Sequence, residues 1–235
     1  MNRAARPLLL GVIVASLLAG CATGGSRGFD GEYGDRDPDR FRRANPSAVI
    51  AAELAFARLA QEKGQWTAFL ETSTGNAVMF VPQPVNAHEW LRRQTNPPEA
   101  VRWQPHQVWS SCDGTLAVTK GAWQRPDGSV GYFTTVWERQ RKGEYKWVMD
   151  QGDTLTEPLA PPDLIGATAA TCGSQPTPPT TVLAGPADKL NSGASRDGTL
   201  RWHVVTRPDG SRVVGASYWD GTSWQEAIDE QVAAG

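Results

Sequence analysis

Three cysteines, three histidines and three methionines in 235 residues leave little material for several kinds of chemistry. His88, His106 and His203 are the only histidines, and no two stand at a metal-ligand spacing such as His-x-x-x-His, so a zinc site is not expected. There is no Gly-x-Ser-x-Gly elbow, no P-loop and no dinucleotide fingerprint, and no cofactor is implied. After residue 21 the chain has no long hydrophobic run, and 40% hydrophobic with 20% charged residues is ordinary for a globular fold, which excludes a multi-pass membrane protein. Cations are not in excess either. The formal charge is −2, and −4 once the segment bearing Arg3 and Arg6 is removed. No basic stripe follows a phosphate backbone, which argues against nucleic acid as a partner.

What is present begins with an export signal. Arg3 and Arg6 form a positive n-region, and Leu8 to Leu18 is an apolar run too short for a stable membrane anchor. It ends in Leu18-Ala19-Gly20-Cys21, which resembles the lipobox of bacterial lipoproteins. The resemblance implies removal of residues 1–20 as a signal peptide and a diacylglycerol on Cys21. It further implies attachment to the cell envelope, and Ala22 after the cysteine favours the outer membrane, facing the periplasm. With Cys21 lipidated, Cys112 and Cys172 remain in an oxidising compartment. Neither belongs to a Cys-x-x-Cys or neighbours a histidine, so a structural disulfide is expected rather than a reactive thiol; closing that loop stabilises by about 4 kcal/mol in the chain-entropy model.

Residues 21–45 read as a flexible tether, rich in Gly, Asp and Arg with too few apolar residues to offset ordering entropy. Asn45-Pro46 then opens a helix as N-cap and first helical residue; Val49, Ala52, Phe56, Leu59 and Ala60 recur at helical spacing, and Gly64 caps it. A second short helix follows over 65–71, a strand over 77–81, and a third helix, capped by Asn86, over 87–94. From Val101 to Leu155 apolar and polar residues alternate through four runs broken at Asp113-Gly114, Pro126-Asp127-Gly128-Ser129 and Lys142-Gly143. This is the pattern of an antiparallel meander with tight turns.

This order of elements resembles the NTF2-like superfamily. So do the phrases Ala52-Glu-Leu-Ala-Phe-Ala57, Trp103-Gln-Pro105, Gly114-Thr-Leu-Ala-Val-Thr-Lys-Gly-Ala-Trp123, Gly131-Tyr-Phe-Thr-Thr-Val-Trp137 and Trp147-Val-Met-Asp150. The nearest branch is the SnoaL-like, DUF4440-type group. The resemblance covers residues 46–156. It implies an α+β cone, a curved antiparallel sheet wrapped on three helices around a ligand pocket. The superfamily includes isomerases and hydrolases as well as binding and dimerising modules, so fold alone does not give function.

If each Asp-Gly and Lys-Gly pair closes a two-residue loop, Gln107, Lys120, Thr135 and Asp150 share one row and one face of the sheet. The adjoining rows are Trp109, Val118, Trp137, Val148 and Pro105, Ala122, Phe133, Gly152. Gln107, Lys120, Thr135 and Asp150, with Trp137 of the adjoining row, are candidates to line the pocket, Asp150 being the candidate acid or base. A one-residue slip would send the row to the other face. Trp90 and Trp66 on the short helices are core or pocket-mouth candidates, and His88-Glu89 is a weaker pocket candidate. Asp150 and Asp153 face opposite ways along a strand, which rules out a simple carboxylate dyad.

Residues 157–186 form a Pro/Thr-rich connection with a short helix expected over 164–170. Residues 187–235 follow as a β-hairpin extension, with strands over 200–206 and 212–219, that should pack on the main domain. Its turn, Arg207-Pro-Asp-Gly-Ser211, repeats Arg125-Pro-Asp-Gly-Ser129; the differing surroundings read as shared turn chemistry, not duplication. The resulting expectation is an envelope lipoprotein whose cone binds a small apolar or amphipathic ligand, or a protein partner, without turnover. A SnoaL-like isomerase or hydrolase using Asp150, and a dimerising module of envelope assembly, are the alternatives.

Overall fold

Asn45 caps the first helix through its side chain, which accepts the Ala48 N–H at 3.1 Å, and Pro46 takes the first helical position. The computed structural model describes residues 43–173 and 184–234. The export signal, Cys21 and nearly all of the tether lie outside the described residues. Helix α1 (Pro46–Lys63) buries Val49, Phe56 and Ala60 along one stripe. It ends at Gly64, whose φ of 98° suits glycine, and α2 (Gln65–Thr72) begins there. Strand β1 (Ser73–Phe80) and the short β2 (Pro84–Asn86) lead to α3 (Ala87–Leu91), where Asn86 caps by accepting the Glu89 N–H. The third helix is thus shorter than the 87–94 span expected.

Strands β3 (Arg102–Ser110), β4 (Leu116–Gln124), β5 (Val130–Arg139) and β6 (Tyr145–Leu155) form the expected meander. Beyond them comes β7 (Gly166–Ala169), where a short helix was expected. This stretch pairs in parallel with the edge of β3, and Ala170 N–H donates to the Ser110 carbonyl. Edge pairing, followed at once by the Cys112–Cys172 disulfide with Cα atoms 5.2 Å apart, overrides the weak local helix preference. The first sheet runs β2-β1-β6-β5-β4-β3-β7, and the three helices cover one of its faces, making an α+β cone.

The C-terminal part is more than a hairpin. Strands β8 (Lys189–Ala194), β9 (Leu200–Thr206), β10 (Arg212–Trp219) and β11 (Trp224–Val232) form a second, four-stranded meander. Strand β8 escapes sequence reading because Leu190-Asn-Ser-Gly-Ala194 has no apolar alternation; Leu190 is itself exposed. This sheet packs on the outer face of the first, with Leu200, Trp202, Val204, Val214, Ala216 and Ile228 against Leu116, Val118, Val136 and Met149.

The two meanders share more than the pentapeptide. Their first turns are Ser111-Cys-Asp-Gly-Thr-Leu116 and Ser195-Arg-Asp-Gly-Thr-Leu200, and their second turns are the two Arg-Pro-Asp-Gly-Ser copies. Both copies of each turn stand at the same place in their meander. The first turns also meet face to face. Asp113 N–H donates to Asp197 Oδ2 at 2.8 Å and Asp197 N–H returns to Asp113 Oδ2 at 3.1 Å. Cys112 N–H donates to Thr199 Oγ1, and Arg196 N–H to Thr115 Oγ1.

Candidate functional site

The turn between β4 and β5 decides what the cone contains. Arg125 N–H donates to the Ser129 carbonyl, and Gly128, with φ 88°, donates to the Arg125 carbonyl. Three residues, not two, therefore lie between the paired ends, and the register moves by one. Lys120 pairs with Thr134, and Thr119 with Thr135. The expected row accordingly splits between the two faces. Thr135 and Asp150 remain opposite each other and share the helix-covered face with Val108, Thr119 and Met79. Gln107 and Lys120 lie on the outer face with Thr134 and Gln151.

The other expected rows change as well. A bulge at His106 sets Pro105 against Gly121, and one at Val148 pairs Trp137 with Trp147. Lys120 is thereby a structural residue. It forms an ion pair with the buried Glu230 of β11 at 2.8 Å, and Glu230 also accepts from Thr134 and Gln151. Gln107 reaches sideways to Thr168 of β7. Neither touches the cone.

Inside the cone a cavity of about 410 Å³ opens between α1, α2, the end of β1 and the β4–β6 strands. Phe56, Trp66, Phe69, Met79, Trp103 and Phe133 are among the residues of its wall, and Asp150 faces into it. Gly121 lets the Phe133 ring lie close against the sheet, since a Cβ there would strike that ring and the Gln104 carbonyl. The second sheet also contributes Arg212, Val232 and Ala233 to the wall. Arg212 is held by Gln151 Oε1 at 3.1 Å and the Gly152 carbonyl at 2.7 Å.

Asp150 accepts one hydrogen bond, from Thr135 Oγ1 at 2.6 Å. Burial raises its pKa to about 7; the Thr135 bond opposes the rise and the nearby Glu53 adds to it. Glu53 was not a sequence candidate. It sits on α1, fully buried, and accepts from Trp103 Nε1 at 2.9 Å, Thr119 Oγ1 at 2.7 Å and Trp137 Nε1 at 3.0 Å. Desolvation raises its pKa, and those three donors pull the other way. The signal was available, since Val49, Glu53, Phe56 and Ala60 fall on one helical stripe and put a carboxylate at a core position.

Trp137 is brought to the same network but lies behind the cavity wall, where its indole orients Glu53. Trp90 packs edge-on against Trp66 at 5.3 Å and is half-buried at the edge of the core, while Trp66 does line the cavity. His88 does not line it. Among the described residues no cluster of His, Cys, Asp and Glu is arranged to hold a metal ion.

Neither the comparison with protein-family models nor that with curated proteins found a match. Solved structures with a similar arrangement include an NTF2-like protein of unknown function from Shewanella baltica, at 12% identity and TM-score 0.36, covering 47% of this chain and 94% of that one. The S. rosetta CaMKII hub matches at 17% identity and TM-score 0.36, over 48% of this chain and 98% of its own. A Δ5-3-ketosteroid isomerase from Mycobacterium sp. matches at 16% identity and TM-score 0.34, over 45% and 92%. At such identities no site residue is carried across, and the assignment of Asp150, Thr135 and Glu53 rests on the geometry of this chain.

Proposed function

We propose that the cone binds a small, largely apolar and aromatic molecule and orients it by one hydrogen bond to Asp150. The observation that carries this reading is a cavity of about 410 Å³ walled by aromatic rings, with a buried carboxyl of pKa about 7 facing into it. Half-protonated near neutrality, Asp150 can accept from a hydroxyl or donate to a carbonyl. We further propose that the chain works in the bacterial envelope, held through a lipidated Cys21. A mature chain whose Cys21 takes up no labelled fatty acid, and whose intact mass carries no diacylglycerol, would remove that anchor.

The test uses two probes that differ in one group, 2-naphthol as donor and 2-acetylnaphthalene as acceptor, followed by quenching of Trp66, Trp103 and Trp123, which line the cavity. The naphthol should bind more tightly above pH 7 and the ketone below it, with Asp150→Asn removing both trends. Failure of either probe to saturate would end the ligand-binding reading.

A second reading is favoured by the same pKa: an acid/base group poised at neutral pH suits proton transfer, as in an isomerase or hydrolase. Exchange of α-hydrogens of the ketone with deuterium, abolished in Asp150→Asn, would raise binding to turnover. For the dimerising alternative, the outer face of the first sheet is covered by the second meander, so a partner would meet another surface.

A further inference from the structure

A groove outside the cone gathers positive charge. Arg43, Arg139, Arg141, Lys142 and Arg196 line a space of about 750 Å³ that no acidic side chain lines. Among the described residues none of the five forms an ion pair within 4.0 Å. They come from three separate places: the entry to α1, the β5–β6 turn and the β8–β9 turn. The floor beneath them is fixed. Arg139 Nη2 donates to the Asp113 carbonyl at 3.1 Å, Tyr145 Oη to the Gly114 carbonyl at 2.7 Å, and Ala44 N–H to the Cys112 carbonyl at 2.7 Å.

A chain whose formal charge is −2 has no general excess of cations to explain this grouping. Like charges held together raise the energy of the empty groove, and an anion relieves it. Four of the five are arginines, whose planar, permanently charged guanidinium groups grip phosphate oxygens in pairs.

We propose that this groove binds the phosphate groups of anionic lipid headgroups at a membrane surface. Arg43 both lines the groove and is the first described residue, so the chain that runs back to Cys21 leaves from the groove's own wall. Fully extended, that stretch spans at most roughly 75 Å, which leaves the groove free to reach the surface of the bilayer that holds the anchor. The choice of membrane as the source of phosphate rests on the lipidated Cys21; the anion chemistry does not.

The test compares the full chain carrying Cys21→Ser on phosphatidylglycerol and phosphatidylcholine vesicles by co-sedimentation. A residual hydrophobic signal binds both compositions alike, so the groove is read from the difference. That excess on phosphatidylglycerol should disappear in high salt. It should also fall roughly fivefold for each cation removed, about a hundredfold in Arg141→Gln/Lys142→Gln/Arg196→Gln. These three side chains are exposed and hold no fold contact, and an unchanged melting temperature checks this. Equal binding to both lipids overturns the proposal, as does an excess untouched by the triple variant. Saturable broadening of the inorganic phosphate ³¹P signal, with no lipid preference, would reassign the groove to soluble phosphate. Lipid binding that emerges only after Asp30, Glu32, Asp35, Asp37 and Asp39 are neutralised would overturn it too, giving the groove to the chain's own leader.

Discussion

Asp150 is stabilised by less than a carboxylate usually receives, a single hydroxyl from Thr135, and burial therefore decides its protonation. A carboxyl whose pKa is raised in the folded chain holds its proton more tightly there than when unfolded. Its contribution is fully present below the ordinary value near 4 and is lost as pH rises through about 7. A displacement from 3.8 to about 7 is worth up to ~4 kcal/mol. Asp150→Asn removes this term. The variant should gain on the wild type between about pH 4 and pH 7 and stay ahead above that, as read from urea unfolding at several pH values. A stability difference that does not vary with pH would show that Asp150 is not the titrating group. Glu53 differs in having three donors, so its burial is largely satisfied and its role is to hold the wall. Its position was legible, a carboxylate on the stripe of Val49, Phe56 and Ala60, but an amphipathic pattern invites the eye to its apolar members only.

Turns, not strands, set the functional geometry at the level of elements. Strand spans and helix caps were legible because each depends on a few adjacent residues: Asn45-Pro46, Gly64, and the alternation of 200–206 and 212–219. Register was not, because Pro126-Asp127-Gly128-Ser129 is compatible with loops of two or three residues. The choice is made by Gly128 donating to Arg125 in a positive-φ conformation. That single residue sends Lys120 outward and leaves Asp150 within. The paired first turns carry a separate prediction. Asp197 accepts from Ser195 Oγ, Thr199 N–H and Thr199 Oγ1, and reaches across to Asp113 N–H. Asp197→Ala strips these and strands a partly buried N–H, an expected loss of roughly 2–4 kcal/mol. Asp209→Ala, in an exposed turn where the carboxylate serves only Ser211, should have little effect. Thermal melts of the two variants side by side measure the difference; equal losses would mean that the contact between turns adds nothing to the turn itself.

For the whole molecule the second meander replaces solvent, and any partner, on the outer face of the first. Leu116, Val118, Val136 and Met149 are buried in one cluster with Leu200, Trp202, Val204, Val214, Ala216 and Ile228. Each such side chain gains ~1.5–3 kcal/mol from burial before entropy is counted. The polar ties are equally shared, since Glu230 closes on Lys120, Thr134 and Gln151, and Arg212 on Gln151 and Gly152. A chain ending at residue 186 would bare this face and leave Lys120 without its carboxylate. It should self-associate or aggregate and bind a hydrophobic dye, whereas the full chain should not; light scattering and dye fluorescence at matched concentration read both. Val204→Asp puts the same question without truncation, by setting an unpaired carboxylate into the apolar contact between sheets. It should lower stability by several kcal/mol and loosen the cavity wall made by Arg212, Val232 and Ala233, so that probe binding in the cone weakens along with the melt. A Val204→Asp chain that melts lower yet binds probe unchanged would show the cone to be complete without its second sheet.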